Sequence, residues 1–174
     1  MGKSLYAVGS YKEYDMNNRF FNINLAGGAL LDIGVYALSL MRSFMAETPD
    51  QVMSQVRFAP TGTDEQASII LMNKEQQMAA ITLSMHSKQP KRAMISCEKG
   101  YIEIMEYPRV DKAIIVDAAS GAVTPAEAGE TKRALEYEMR DMEEAVQSGD
   151  VSRMQMPFTR DVMNIRQIFE RTGA

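Results

Sequence analysis

A long apolar stretch that begins at residue 27 is the strongest pattern in the chain. Residues 27–36 read Gly-Gly-Ala-Leu-Leu-Asp-Ile-Gly-Val-Tyr, and apolar residues continue to Met45. We predict a helix from about Ala29 to Met45, which the glycine pair allows the chain to enter tightly. Asp32 and Tyr36 are four residues apart, so they would lie on one face of this helix.

The polar stripe on this helix has two interpretations. A surface helix normally turns polar side chains to solvent, and Asp32 and Tyr36 fit that pattern. The stripe continues with Ser39 and Ser43 but carries no Lys or Glu, which are the usual residues of a solvated face. A tyrosine suits the wall of a cleft better than open solvent. The stripe is therefore also a candidate site.

Alternation of apolar and polar residues predicts strands in most of the remaining first two thirds. Residues 4–12 predict an opening strand, and 13–26 a polar and aromatic loop. After the helix, further short strands are separated by turns, as is typical of an antiparallel meander. They are predicted at 52–58, 67–72, 79–85, 94–97, 102–104 and 113–116. We expect an open, mostly antiparallel sheet of about six strands.

Two helices close the chain and complete an α+β fold. The first is predicted at 132–147 and the second at about 159–171, because apolar residues recur there at helical spacing. Helices would pack on one face of the sheet. The other face carries small and moderately apolar residues, namely Met78, Ala80, Thr82 and Ser84. We expect that face to serve as an interface between subunits.

Length, charge and cysteine content restrict the function. The 174 residues predict a single domain over 1–174, and the net charge of −4 argues against nucleic acid or an anionic membrane as partner. The apolar run at 29–41 is short for a bilayer span and contains Asp32. Cys97 is the only cysteine, so no intrachain disulfide can form, and a reducing, cytoplasmic location fits.

Few catalytic constellations are available. The sequence has no P-loop and no G-x-G-x-x-G turn, and its one histidine, His86, cannot support a Ser/His/Asp set or a metal site. We expect His86, near a strand end, to have a structural or surface role. The remaining pair is Asp32 and Tyr36. A phenol can serve as a general acid or base, and a carboxylate can orient a hydroxyl, so the pair suits an alcohol or its carbonyl. The hydride would have to come from a cofactor held elsewhere.

The motif at residues 27–36 resembles the Gly-Gly-x-Leu-x-Asp-x-Gly-x-His/Tyr signature of the Gfo/Idh/MocA oxidoreductases. The order of elements around it is similar to the C-terminal domain of that family over the whole chain. The final Tyr is similar to the dimeric dihydrodiol dehydrogenase and glucose–fructose oxidoreductase branch. The resemblance implies that Tyr36 is the catalytic acid or base and that Asp32 orients the substrate. It also implies, more weakly, that Arg19, Asn18 and Gly28 contribute to substrate binding.

The resemblance further implies NAD or NADP as cofactor, a sugar, polyol or diol as substrate, and a homodimer or higher homo-oligomer formed through the sheet face. Family members carry an N-terminal Rossmann domain and a Glu-Lys-Pro motif, and neither occurs in this sequence. We therefore expect this chain to lack a tight cofactor site of its own and to be inactive without that domain.

An alternative is a stand-alone binding or assembly module without catalysis. Asp32 and Tyr36 would then be structural polar residues, and the open sheet face would be the working surface. A native gene that starts at Met1 favours this alternative. An in-frame Rossmann segment upstream favours the oxidoreductase.

Overall fold

The computed structural model describes residues 3–9, 15, 17–88, 90–107 and 109–172. For residues 3–9, 153 and 166–172 it describes the backbone only, and for the others it describes the side chains as well. The end of the predicted opening strand, at residues 10–12, lies outside these ranges. So do residues 13, 14 and 16 of the predicted loop.

One mixed sheet of eight strands forms the body of the domain. The strands are β1 (Lys3–Gly9), β2 (Gln51–Phe58), β3 (Asp64–Met72), β4 (Met78–Ser84), β5 (Arg92–Cys97), β6 (Gly100–Met105), β7 (Lys112–Asp117) and β8 (Val123–Glu127). Their order across the sheet is β2-β3-β4-β1-β5-β6-β7-β8. The predicted α+β fold with a mostly antiparallel sheet is confirmed. The sheet is larger than the predicted six strands because β1 joins it and β8 was not predicted.

The position of β1 differs from a simple meander. β1 lies in the middle of the sheet, parallel to β4 and antiparallel to β5. β4 and β5 are consecutive in sequence, but β1 separates them. Parallel neighbours need a long crossover connection, and here the chain between β1 and β4 includes the helix that carries the 27–36 motif.

Three helices accompany the sheet. A π-helical turn at Leu30–Gly34 leads into α1 (Val35–Phe44), so the predicted helix at 29–45 is confirmed with an unusual first turn. The two closing helices are α2 (Ala134–Ser148) and α3 (Met156–Thr172), close to the predicted ranges. Short 3₁₀ segments lie at Arg19–Phe21, Ile23–Leu25, Thr131–Arg133 and Ser152–Met154.

The hydrophobic core lies between one face of the sheet and helices α1 and α3. Leu38 and Met41 of α1 are fully buried, as is Leu71 of β3, and Ile165 of α3 is 1% exposed. Gly34 allows the helix to approach the sheet closely, since a Cβ there would lie 2.8 Å from Leu83 Cδ1. The site-bearing helix is therefore held rigidly against β4.

A nearly buried ion pair fixes α3 to the end of α1. Arg42 Nε donates to Asp161 Oδ2 at 2.8 Å, and Arg42 Nη1 donates to the Met45 carbonyl at 2.8 Å. The Arg42 guanidinium also lies over the Phe158 ring, 4.5 Å from its centroid. Burial opposes ionisation of Asp161. Hydrogen bonds with Thr48 and Arg42 and the charge of Arg42 outweigh it, and they hold the pKa of this carboxyl below its ordinary value.

Helix α2 packs differently from the other two. Its apolar side was expected to face the sheet with the other helices, but Leu135, Met139, Met142 and Val146 are 60%, 72%, 50% and 73% exposed. Within α2, only Ala145 is buried. The helix begins beyond the last strand, and its contacts are with the short segments at its two ends rather than with the core.

The segment Ile23–Phe44 is long and apolar enough, by length and composition, to cross a membrane, with a mean hydropathy of 1.5. In the structure, its apolar side contributes Leu30, Ile33, Leu38 and Met41 to the core. A helix buried in a protein core has the same composition.

Candidate functional site

The π-helical turn that leads into α1 begins at a point fixed by β3. The Leu30 N–H donates to Asp64 Oδ2 at 2.7 Å, so a carboxylate caps the free N–H groups of the helix start. Gly28 has φ +120°, and a Cβ at Gly28 would collide with the same Asp64 side chain. The second glycine of the motif is therefore required by the close approach of the Asp64 carboxylate and by its own backbone conformation.

Asp32 is held by an arginine from the preceding loop. Arg19 Nη2 donates to Asp32 Oδ1 at 2.7 Å, and the guanidinium lies 4.3 Å from the centroid of the Phe20 ring. The Asp32 side chain is 14% exposed and that of Arg19 is 56% exposed. The pair thus reaches solvent through Arg19, while Oδ2 of Asp32 is not used by this contact.

The loop that carries Arg19 is anchored by the buried side chain of Phe21. Phe21 is buried and stacks on His86 with ring centroids 5.3 Å apart. His86 Nε2 lies 2.9 Å from Glu65 Oε2, and Arg57 Nε lies 2.7 Å from Glu65 Oε1. His86 therefore has a supporting role at the base of the loop, which agrees with the structural role that its sequence position predicted.

A large cavity opens beside Tyr36. Its volume is about 1020 Å³, and the phenol in its wall is 48% exposed. Besides Tyr36, the lining consists of Ile33 from the helix start, Lys91 before β5, seven residues around the β6–β7 turn and two residues near α2. The last two groups are Met105, Glu106, Tyr107, Arg109, Val110, Asp111, Lys112, Thr131 and Glu138, with Lys112 the first residue of β7. The concave site combines apolar walls with several charged groups, as ligand sites commonly do.

The β6–β7 turn forms a fixed rim for this cavity. The Thr131 N–H donates to Asp111 Oδ2 at 3.2 Å, and its hydroxyl donates to the Arg109 carbonyl at 2.7 Å. Hydrogen bonds from the Thr131 backbone, and then from its side chain, hold the pKa of Asp111 below its ordinary value. Glu106 has a positive φ of 58°, and its N–H donates to the Lys91 carbonyl at 2.7 Å. Such a backbone is uncommon for a residue other than glycine.

The structure describes all five residues that were predicted for the site, and it places them in different environments. Tyr36 lines the cavity, whereas Asp32 and Arg19 form an ion pair with each other. Asn18 caps the Arg19–Phe21 segment by accepting from the Phe20 N–H at 3.1 Å, and Gly28 is buried against Asp64. Asn18 and Gly28 therefore have clear structural roles at the helix entrance.

Sequence reasoning missed the cavity rim. A turn that contains an aromatic residue, a proline and charges, Glu-Tyr-Pro-Arg-Val-Asp at 106–111, was the available signal. Within the described part of the chain, no group of three or more His, Cys, Asp or Glu side chains is placed to hold a metal ion.

These features define an α+β domain with one uncovered sheet face. A large cavity lies beside the start of helix α1. The sequence profile of the GFO/IDH/MocA C-terminal domain matches residues 2–103, which is more than half of the chain. The chain belongs to this family.

Curated relatives are trans-1,2-dihydrobenzene-1,2-diol dehydrogenases. The mouse protein is 32% identical over 84 residues, which cover 48% of this chain and 25% of that protein. The Xenopus tropicalis protein is 36% identical over 81 residues, covering 46% of this chain and 24% of that protein. The matched relatives are oxidoreductases by name, and the aligned part is a minor share of their length.

Solved structures share the fold over nearly the whole chain. An aldose-aldose oxidoreductase from Caulobacter crescentus, complexed with glycerol, superimposes with a TM-score of 0.77 at 21% identity, covering 98% of this chain and 52% of that one. A 3-ketoreductase from Actinomadura kijaniata, in complex with NADP and TDP-benzene, gives 0.78 at 17% identity, covering 99% and 53%. The chain thus spans about half the length of these solved relatives.

Proposed function

We propose that this chain is the substrate-binding and dimerisation domain of an NAD(P)-dependent oxidoreductase that acts on a sugar, polyol or diol. The observation that carries the proposal is the half-exposed phenol of Tyr36 in the wall of the large cavity. Tyr36 is also the last residue of the motif that resembles the family signature. The names of the relatives, a diol dehydrogenase and an aldose-aldose oxidoreductase, support this substrate class.

Tyr36 moves the proton in the proposed reaction. When an alcohol is oxidised, its O–H proton passes to the deprotonated Tyr36 oxygen as the C–H bond gives up a hydride. In the reverse direction, the Tyr36 hydroxyl donates its proton to the carbonyl oxygen as the carbon gains the hydride. The hydride chemistry would be supplied by a nicotinamide held on a separate nucleotide-binding domain. This chain contains no glycine-rich dinucleotide turn.

Asp32 orients a substrate hydroxyl in this proposal. Its Oδ1 holds Arg19, and its Oδ2 would accept a hydrogen bond from the substrate. The ion pair fixes the carboxylate in one position, and a fixed acceptor places a reacting group at lower entropic cost than a mobile one.

The charges of the cavity favour a neutral substrate. Three lining residues are basic (Lys91, Arg109 and Lys112) and three are acidic (Glu106, Asp111 and Glu138), so neither sign dominates. Lys112 also pairs with Glu127 at 3.3 Å. A polyhydroxy compound can hydrogen-bond to groups of both signs, whereas a strongly anionic ligand would meet three carboxylates.

The test uses the complete translation product of the gene, with NAD⁺ or NADP⁺ as cofactor and either trans-1,2-dihydrobenzene-1,2-diol or glucose as substrate. We expect Tyr36→Phe to lower kcat by about a hundredfold to ten-thousandfold, because the ring stays in place and only the proton-transferring hydroxyl is lost. KM should change little. Tyr101→Phe is the matched control, since Tyr101 lies on β6 outside the cavity lining.

Wild-type turnover in Tyr36→Phe would remove Tyr36 from the chemistry. Absence of turnover with both substrate classes and with both NAD⁺ and NADP⁺ in the wild-type protein would contradict the proposed activity itself.

A further inference from the structure

Glu106 occupies a strained position in the cavity wall. Its φ of 58° lies in the left-handed region, where the Cβ of a residue other than glycine crowds the following carbonyl oxygen. The other described residues with such a backbone, apart from glycines, are Ala26, Gln76 and Gln155, and none of these three lines the cavity. Strained residues cluster at functional sites, where the strain keeps a group in a required position.

The backbone around Glu106 is fixed on both sides. Ile104 before it and Tyr107 after it belong to the hydrophobic core, at 6% and 1% exposure. The Glu106 N–H donates to the Lys91 carbonyl at 2.7 Å, which ties the end of β6 to the residue before β5. These neighbours determine where the Glu106 Cα lies. The side chain therefore extends from a fixed point of the cavity wall.

The carboxylate of Glu106 makes no contact that would explain the strain by a structural role. Glu106 is exposed, and no residue that the structure describes donates a hydrogen bond to its carboxylate or forms an ion pair with it. Asp111, a second acidic residue of the lining, accepts instead from the Thr131 N–H. The third acidic residue, Glu138, lies on helix α2 rather than on the strained turn. Glu106 thus offers an acceptor on a fixed backbone to whatever enters the cavity.

A carboxylate in this position suits a substrate with more than one hydroxyl group. Its two oxygens accept hydrogen bonds, and charge-assisted hydrogen bonds are stronger than neutral ones. We propose that Glu106 is a specificity-determining residue, which binds a second hydroxyl of the substrate while the reacting hydroxyl lies at Tyr36. It would select a compound with neighbouring hydroxyls over an alcohol with one. This inference rests on the proposed function, because it names a residue that recognises the substrate of the same site.

Substrate selectivity tests this assignment in the complete translation product. Two pairs of compounds are assayed with NAD⁺ or NADP⁺, namely trans-cyclohexane-1,2-diol with cyclohexanol and glucose with 2-deoxyglucose. The members of each pair differ by one hydroxyl. We expect the wild-type protein to favour the member with the additional hydroxyl by about tenfold or more in kcat/KM, because a site built to bind a hydroxyl rejects the analogue that lacks it. Glu106→Gln should remove most of this preference and leave turnover of the other member almost unchanged, since a neutral acceptor binds a hydroxyl more weakly.

Glu75→Gln is the matched control for the lost charge. Glu75 is an exposed glutamate in the β3–β4 turn and lies outside the cavity lining, so its substitution should leave the preference unchanged. A Glu106→Gln variant that keeps the wild-type preference would overturn the inference. Equal loss of activity on both members of a pair would also overturn it, as would a wild-type protein without any preference for the additional hydroxyl.

Relief of the strain separates recognition from a structural role. Glu106→Gly removes both the carboxylate and the strained conformation, so the variant should lose the same preference while its melting temperature stays equal to wild type or rises by up to about 4 °C. Gln76→Gly is the matched control, because Gln76 has a φ of 59° in the β3–β4 turn. It should show the same thermal effect with unchanged selectivity. A melting temperature that falls by more than about 4 °C in Glu106→Gly alone would overturn the inference, since Glu106 would then support the fold.

Binding of trans-cyclohexane-1,2-diol, measured by saturation-transfer NMR, distinguishes this inference from the proposed function. The diol should bind about tenfold more weakly to Glu106→Gln than to wild type and to Glu75→Gln, whether or not turnover occurs. Binding that depends on Glu106 in a protein without turnover would contradict the proposed function alone. Turnover of the diol with binding that does not depend on Glu106 would overturn only the inference. Absence of both binding and turnover would overturn both.

Discussion

A single side chain, that of Asp64, fixes the entrance of the helix, although it is distant from the helix in the sequence. Asp64 caps the helix start through the Leu30 N–H and occupies the space above Gly28. The acceptor and the donor are 34 positions apart in the chain, so the contact forms only when β3 is in place. The glycines were predicted to allow a tight turn, and the close approach of Asp64 to Gly28 gives the physical reason for the second of them.

The ion pair between Asp32 and Arg19 allows the proposed role of Asp32 to be separated from its structural role. If Asp32 orients the substrate, Asp32→Asn should lower kcat/KM of the complete translation product in the proposed reaction by roughly tenfold to a hundredfold, because a hydrogen bond to a charged group contributes about 1.5–3 kcal/mol. Arg19→Ala should cost less than about tenfold, since Arg19 is 56% exposed and an exposed pair contributes about 0–1 kcal/mol.

The double variant Asp32→Asn with Arg19→Ala completes the comparison. Equal losses in both single variants and in the double variant would show that the two residues act as one unit. In that case, Asp32 would act only by holding Arg19, and its direct contact with substrate would be excluded.

The candidate site was only partly predictable, and particular residues show why. Tyr36 was found because its motif is continuous in sequence. The cavity around it combines Ile33, Lys91, the rim residues near Asp111, and Glu138. These positions are separated by tens of residues, and they meet only through the order of β5, β6 and β7 in the sheet. No local periodicity contains that information.

For the helices as well, the sequence predicted the element but not its packing. The pattern of Leu135, Met139, Met142 and Val146 predicted that α2 is a helix, and this is confirmed. The same pattern could not tell which surface the apolar side meets, because burial depends on tertiary packing. The opening strand was predicted as well, but its central position between β4 and β5 depends on a parallel pairing that alternation alone does not specify.

The contact between α1 and α3 is the best defined link between helices. We expect Asp161→Asn to lower the free energy of unfolding of this chain by about 3 kcal/mol, because the substitution leaves the nearly buried Arg42 without its charged partner. Urea unfolding measured by circular dichroism gives this difference. Asp50→Asn is the control, since Asp50 is an exposed aspartate just before β2, and it should change stability little.

The pH dependence of the same variant provides a second check. The native pKa of Asp161 lies below its ordinary value, so its contribution is present above that ordinary value and is lost as the pH falls through the native pKa. Wild type and Asp161→Asn should therefore differ at pH 7 and converge below about pH 4. A constant difference down to pH 2 would show that charge pairing is not the source of the stabilisation.

The uncovered face of the sheet is the surface through which we predict that whole molecules associate. Met53, Ile70 and Ala80 lie side by side on β2, β3 and β4, on the face opposite to the core. Met53 and Ile70 are 70% and 46% exposed, and Met78 nearby is 39% exposed. An ion pair between Arg92 and Glu103, 2.6 Å apart, lies further along the same face. An apolar area bordered by a polar contact resembles the composition of protein interfaces.

We expect the chain to dimerise through this face and Ile70→Glu to convert it to a monomer. A buried carboxylate without a partner at the centre of an interface would cost several kcal/mol, which is enough to move dissociation above micromolar concentrations. Ile115→Glu is the matched control, because Ile115 is 44% exposed but lies on the opposite face, in register with Ile102 and Ile95. Size exclusion with light scattering gives the mass of each variant. The prediction would be contradicted by a wild-type chain that stays monomeric at high concentration. It would also be contradicted by an Ile70→Glu variant that stays dimeric, since the dimer would then form through another surface.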